Sequence, residues 1–267
     1  MEGLFGFIGC GKMGGALARA AAAGTDAKNI LLNNRTQAKA DFLASEIGAR
    51  TASAEEIAGT CRLVFLGVKP QNMEETLAPL RKILAKRKDP FAVVSMAAGL
   101  ETKTISAMAG GAKTVRIMPN LPVTTGEGVV LICADEETRG FLNETKKLLG
   151  ACGSIIEIPE EDMDAASAVS GCGPAFVFAF LDALSKGAAE AGLSRETATE
   201  LAARTILGSA RLFLQNSKTA GEWISDVCSP GGTTVEGMKV LREKDMEGAA
   251  SGAVKASYRR SLELKKR

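Results

Sequence analysis

Near Pro159 the hydrophobic pattern of this chain changes period, and no other feature restricts its fold as much. Before that point short apolar runs alternate with helical stretches. Residues 4–8, 29–32, 63–66, 91–95 and 115–117 read as strands, and residues 13–23 and 37–47 as helices. Residues 128–133 and 154–158 read as late strands around a helix at 136–149. Strands rich in Val, Ile and Leu, separated by helices, are buried on both faces, which argues for a doubly wound parallel sheet.

After Pro159 no convincing strand follows. Pro174 suits the first turn of a helix that runs to about residue 191. Its opening, Ala175-Phe176-Val177-Phe178-Ala179-Phe180-Leu181, is apolar on every side, as a fully enclosed helix would be. The further helices expected at 195–215, 233–243 and 245–264 are too few to enclose it within one chain. The expectation is an α/β protein, with a dinucleotide-binding domain at 1–158 and an all-helical domain at 159–267 through which two copies interlock as a homodimer.

The chain has no histidine at all. That removes the Ser-His-Asp triad, the Cys-His dyad and the commonest metal ligand, and leaves chemistry to a cofactor, hydroxyls, carboxylates, Lys or backbone dipoles. The net charge of +2 points to neither nucleic acid nor an acidic membrane surface. Six cysteines stand singly with no CxxC pair, so they read as reduced thiols and no metal site is expected. No apolar run nears the roughly 20 residues of a membrane span. With no basic segment ahead of the first strand, the reading is a cytoplasmic protein.

Gly9-Cys10-Gly11-Lys12-Met13-Gly14 follows a strand and opens a helix, as a Rossmann-type fingerprint should. Its glycines allow a tight turn and bring backbone close to a pyrophosphate at the helix start. About 20 residues on, an NAD site would carry an acid for the ribose hydroxyls. Here the chain reads Asn33-Asn34-Arg35-Thr36. An Arg can pair with a 2′-phosphate, so NADPH is the expected coenzyme, held by Asn34 and Arg35 with Thr36 helping, and NADH is the alternative. In the other reading, Arg35 is a solvated loop residue and Asn34 caps the next helix. Val68-Lys69-Pro70, Ala97-Ala98-Gly99 and Met118-Pro119-Asn120 occupy further strand ends, where open α/β sheets bind ligands.

A second anion-binding turn lies late in the chain. Ser229-Pro230-Gly231-Gly232-Thr233-Thr234 is rigid, poor in side chains, and runs into a helix. Free N–H groups beside two hydroxyls suit a carboxylate. Thr233 with Glu236 also fits a capping box, which would leave the Thr234 hydroxyl free.

These motifs, in this order, resemble those of the pyrroline-5-carboxylate reductase family, over nearly the whole length. The resemblance rests on Phe7-Ile8-Gly9-Cys10-Gly11-Lys12-Met13-Gly14, Val68-Lys69-Pro70, Ala97-Ala98-Gly99 and Arg116-Ile117-Met118-Pro119-Asn120. Ser170-Gly171-Cys172-Gly173-Pro174-Ala175 and the block from Val227 to Thr234 complete it. Leu121, where a Thr is common, and Cys172, where a Ser is common, depart from the pattern. The resemblance implies hydride transfer from NAD(P)H to the C=N carbon of 1-pyrroline-5-carboxylate, giving L-proline as the last step of proline biosynthesis. It places the substrate carboxylate on Ser229, Gly232, Thr233 and Thr234, with Gly231 keeping the approach clear. The Thr234 hydroxyl would bond the ring nitrogen, as the catalytic contact.

Three rivals stand against this reading. A β-hydroxyacid dehydrogenase needs a Lys base where Val177 stands. A reductase of another cyclic imino acid would share both turns. A non-catalytic NADPH-binding dimeric sensor would have no use for residues 229–234.

Overall fold

The computed structural model describes residues 3–265. The first part of the chain runs β1 (Phe5–Ile8), α1 (Lys12–Gly24), β2 (Ile30–Asn33), α2 (Gln37–Ile47), β3 (Arg50–Thr51), α3 (Ala54–Thr60) and β4 (Leu63–Leu66). It continues through α4 (Met73–Leu77), α5 (Arg81–Lys86), β5 (Ala92–Ser95), α6 (Thr102–Met108), β6 (Thr114–Pro119), β7 (Gly128–Cys133), α7 (Arg139–Leu148) and β8 (Gly153–Glu157). All helix follows: α8 (Met163–Ser170), α9 (Gly173–Glu190), α10 (Arg195–Leu214), α11 (Ala220–Val227), α12 (Thr233–Glu243) and α13 (Met246–Lys265).

The strands form one sheet in the order β3-β2-β1-β4-β5-β6-β7-β8. The central strands β1, β4 and β5 are buried along their whole length, so both faces must be covered. On one face Leu17, Ala21, Leu43 and Leu142, from α1, α2 and α7, pack against Phe7, Leu32, Phe65 and Val94. On the other Ile57, Met73, Leu84 and Ile105, from α3 to α6, pack against Ile8, Val64, Leu66 and Val93.

The sheet departs from an all-parallel one at its far side. β7 runs antiparallel to β6, and β8 pairs parallel to β7. The reason lies in the connection: only a short 3₁₀ turn, Leu121–Thr125, joins β6 to β7, and a parallel return needs a crossover of a dozen residues or more. A two-residue edge strand, β3, pairs with β2 beyond the sequence expectation.

By contact the chain divides into two units at Gly171–Cys172. Met163 of α8 packs on Leu131 and Cys133 of β7, which makes α8 part of the sheet unit. The chain from Tyr258 onward, the last turns of α13, also belongs to that unit.

In the helical unit, α9 has the expected bounds with Pro174 in its first turn. Its apolar surface is not enclosed within the chain: Val177 is 45% and Phe178 55% exposed. Leu201, Leu207, Leu212 and Phe213 of α10 are also exposed. The helical stretch Glu160–Glu190 is long and apolar enough to cross a membrane by length and composition, an 18-residue window within it having a mean hydropathy of 1.5. This corrects the sequence reading, because α8 and α9 follow each other almost without a break. Two of its acidic residues, Asp164 and Asp182, are ion-paired, with Lys265 at 2.7 Å and Arg195 at 2.6 Å.

Candidate functional site

In the sheet unit, the carboxyl ends of four parallel strands line up. Ile8 sits opposite Asn33 on one side and Leu66 on the other, and Leu66 sits opposite Ser95. The turns that follow, at residues 9–14, 34–36, 67–70 and 96–99, therefore stand side by side along one edge. Between β1 and β4 the strand order reverses, and an open α/β sheet binds its ligand at that point.

Three glycines meet there. A Cβ on Gly14 would lie 2.1 Å from the Gly9 carbonyl oxygen, and one on Gly67 would lie 2.2 Å from the same atom. No side chain fits, so α1 starts in direct contact with the turn. The third fingerprint glycine behaves differently. A Cβ on Gly11 would meet nothing within 4 Å, so it projects into open space above the turn. This is the cradle a pyrophosphate would fill.

The helix start is open in the same sense. Gly11 is the N-cap with no side-chain cap, and the first helical bond runs from Gly15 N–H to the Gly11 carbonyl at 2.8 Å. Among the described residues, the N–H groups of Lys12, Met13 and Gly14 donate to no backbone carbonyl, and the first turn carries no acid. An anion is stabilised at such an end.

Cys10 and Asn33 supply support that the sequence reading passed over. The Cys10 thiol is buried and donates to the Asn33 carbonyl at 3.4 Å, and Gly9 N–H donates to the same oxygen at 2.8 Å. Burial pushes this thiol up to about 11, so it serves as packing and a weak donor. Asn33 itself donates to the Ala52 carbonyl at 2.9 Å. The fingerprint turn is thus tied to the end of β2, where Asn34 and Arg35 emerge.

Asn34 donates to the Thr36 carbonyl at 3.0 Å, within its own turn, and it does not cap α2; that N-cap is Thr36. Arg35 is exposed. Among the described residues Lys12, Arg35 and Lys69 make no ion pair, whereas Arg19, Arg62, Arg81 and Arg87 do. Unpaired cations beside an open helix start form an electropositive rim. Val68 is half-buried against Gly9, and Pro70 opens a 3₁₀ turn capped by Lys69. Ala97 is buried, so that loop presents Ala98, Gly99 and its backbone.

Asn120 stands apart from this row. β6 runs on beyond its pairing with Ser95, so Asn120 lies past the line of the other loops. Its amide is taken up on both sides by protein: Nδ2 donates to the Ser170 carbonyl at 3.0 Å and Oδ1 accepts from Val129 N–H at 2.9 Å. The side chain clamps the end of α8 to the β6–β7 connection, which makes it part of the frame.

In the helical unit, the corner before α12 is a type II turn. Gly232 N–H donates to the Ser229 carbonyl at 2.9 Å, Pro230 holds the first central position, and Gly231 takes φ +73° at the second. Gly232, extended, is the N-cap, so Thr233 falls inside the helix and makes no capping box with Glu236. Glu236 bonds Lys239 instead, at 2.7 Å. A capping box does exist one helix earlier, between Thr219 and Glu222.

The consequence is a corner with spare donors. Gly232 N–H is spent on the turn, but the N–H groups of Thr233 and Thr234 reach no backbone carbonyl among the described residues. The same holds for the hydroxyls of Ser229, Thr233 and Thr234. Threonines elsewhere in helices bond back to the carbonyl four residues earlier, as Thr145 does to Phe141 at 2.8 Å and Thr205 to Leu201 at 2.7 Å. At the first two positions of α12 no such helical carbonyl exists. The corner is exposed and carries no cation.

Comparison with known proteins gives two family models. Residues 4–99 match one described as NADP oxidoreductase coenzyme F420-dependent, and residues 160–264 match pyrroline-5-carboxylate reductase dimerisation. A relative named pyrroline-5-carboxylate reductase 3, from Danio rerio, is 36% identical, with 97% of this chain and 90% of that protein covered. A solved pyrroline-5-carboxylate reductase from Coxiella burnetii superposes with a TM-score of 0.90 at 31% identity, covering 98% of each chain. The Plasmodium falciparum pyrroline carboxylate reductase, solved with NADP bound, gives 0.83 at 28% identity, covering 99% of this chain and 98% of that one.

Proposed function

The chain belongs to the pyrroline-5-carboxylate reductase family, and from that premise we propose how its two open helix starts share the reaction. It is an oxidoreductase that uses NADPH. The reaction is reduction of the C=N bond of 1-pyrroline-5-carboxylate to L-proline, in the cytoplasm. Bound at the first helix start, NADPH supplies the hydride that the imine carbon accepts.

The pyrophosphate rests on the N–H groups that open α1, with Gly9, Gly11 and Gly14 keeping the approach clear and Lys12 and Met13 flanking it. Arg35, with Asn34, takes the 2′-phosphate through its planar fork. Backbone of Val68, Lys69 and Pro70 and of Ala97 and Gly99 completes the coenzyme site; Asn120 contributes through the frame. In the helical unit, the substrate carboxylate lies on the N–H groups of Thr233 and Thr234 and on the Ser229 hydroxyl. Gly231 and Gly232 leave room for it. The Thr234 hydroxyl bonds the ring nitrogen.

This division fits a chain without histidine. A protonated imine is already electrophilic, so the protein has only to hold and orient it. The observation that carries the reading is the corner at residues 229–234, with three hydroxyls and two N–H groups that have no partner among the described residues. The assembly is a homodimer, for which the exposed apolar surface of α9 and α10 supplies the contact.

The deciding assay follows NADPH absorbance when 1-pyrroline-5-carboxylate is added. Steady oxidation with proline as the product is expected. A flat trace from protein that demonstrably binds NADPH would overturn the reading and favour a binding module.

A further inference from the structure

Two elements distant in sequence close on the residues that follow the Ala97-Ala98-Gly99 loop. From one side Glu160 accepts the Thr102 N–H at 2.8 Å and the Thr102 hydroxyl at 2.7 Å, holding the start of α6 from outside that helix. Glu160 is braced in turn by the fully buried Arg116, 3.3 Å away. From the other side Lys265, in the last turn of α13, donates to Glu101 at 3.1 Å and to Asp164 at 2.7 Å. Asp164 is buried and also accepts from the Ser261 hydroxyl at 2.8 Å. Two turns of α13 are therefore fastened to α8. The stem of Lys265 lies over the loop itself, since a Cβ on Gly99 would stand 3.8 Å from its Cγ.

Beyond Ala97, which is buried in the core, the loop has little else to hold it. The hydrogen bonds at its start are long: Ala97 N–H to the Ser95 hydroxyl at 3.3 Å, and Met96 N–H to the Leu66 carbonyl, on the neighbouring strand, at 3.5 Å. Ala97, Ala98 and Gly99 carry no polar side chain with which to add more. A segment this bare takes its conformation from what is packed on it. Here that is Glu101 and Thr102, each gripped by a charged group from beyond residue 159.

We propose that Lys265, together with Glu160, is a positioning residue for the coenzyme: by holding Glu101 and Thr102 it fixes the loop at 97–99 against NADPH. The proposal rests on reading that loop as part of the coenzyme site. It makes the final turn of α13 a determinant of coenzyme affinity through Glu101.

The test uses the full chain with Lys265→Met, Lys265→Arg and Ala98→Asp, measuring NADPH binding by its fluorescence, KM for the imino acid, and Tm. Loss of one charged hydrogen bond predicts NADPH binding weakened about fivefold in Lys265→Met, largely restored in Lys265→Arg. KM for the imino acid stays unchanged. Ala98→Asp sets a carboxylate on the exposed part of the loop and repels the phosphates. A lower Tm in Lys265→Met with unaltered NADPH affinity, while Ala98→Asp does weaken binding, leaves the loop in the site and overturns the clamp. Unaltered affinity in both variants removes the loop from the coenzyme site, and the clamp falls with it.

Discussion

The Cβ that Gly14 lacks would stand 2.1 Å from the carbonyl oxygen of Gly9, whereas the Cβ that Gly11 lacks would touch nothing. Two alanine substitutions in one fingerprint should therefore fail in different ways. Gly14→Ala forces α1 away from the turn, at a cost of about 1–3 kcal/mol, so both Tm and coenzyme binding fall. Gly11→Ala leaves Tm in place and raises KM for NADPH about tenfold by filling the cradle, a loss of roughly 1.4 kcal/mol. Thermal denaturation beside NADPH titration checks the pair; a Gly11→Ala protein with native coenzyme affinity would remove the pyrophosphate from that turn.

Arg35 is exposed, makes no ion pair among the described residues and lies just past the end of β2, one strand from the fingerprint turn. Arg35→Ala should raise KM for NADPH about tenfold and leave KM for NADH nearly unchanged, since only the former carries a 2′-phosphate. Arg35→Lys should recover part of the loss, because a point charge replaces a fork. Equal effects on both coenzymes would refute the phosphate role.

Thr234→Ala removes a hydroxyl that has no hydrogen-bond partner among the described residues, so folding should be untouched. The expected effect is a fall in kcat/KM of about ten- to a hundredfold, matching the 1–3 kcal/mol of one buried hydrogen bond, with NADPH affinity unaltered. Thr233→Ala should cost less, because its N–H survives the substitution.

The apolar surface of α9 predicts the assembly. Phe178→Glu places a charge at a position 55% exposed in the single chain, so a lone protomer would tolerate it. A homodimer built on this surface would come apart, and light scattering should report the mass halved. Retention of the native mass would move the interface elsewhere.

Asp164 gives a pH dependence with a definite sign. Burial alone would raise its carboxyl, but the bonds from Lys265 and Ser261 and the nearby Arg116 outweigh it and hold the group below the ordinary range. A depressed folded value means its contribution is complete above the unfolded pKa, about 3.9, and is lost as pH falls through the folded one. Asp164→Asn should therefore cost about 2 kcal/mol at neutral pH, and its difference from wild type should vanish in acid. Paired Tm measurements across that range would expose a pH-independent difference, which would refute the ion-pair account.

Much of this molecule was legible because the deciding interactions are local. The start of α1, the extent of α9 and the bounds of α12 follow from glycine spacing, a proline and an apolar period within a few residues. The antiparallel course of β7 was not legible, because it depends on how few residues separate two strands that look alike. The role of Asn120 was hidden for a similar reason: its amide answers to Ser170, 50 positions away. At α12 the Thr-x-x-Glu spacing misled, since Pro230 and Gly231 make Gly232 the last extended residue. The same spacing at Thr219–Glu222 forms the box and opens α11, a helix the apolar pattern alone did not announce.

The corner at Ser229 to Thr234 would grip an anion with neutral dipoles only, while the fingerprint turn is ringed by Lys12, Arg35 and Lys69. Dissolved ions screen charge against charge across a Debye length far more than they disturb short bonds from amide and hydroxyl. Raising ionic strength should accordingly loosen the nucleotide and spare the imino acid. The enzyme would then respond to the salinity of its surroundings through one reactant alone.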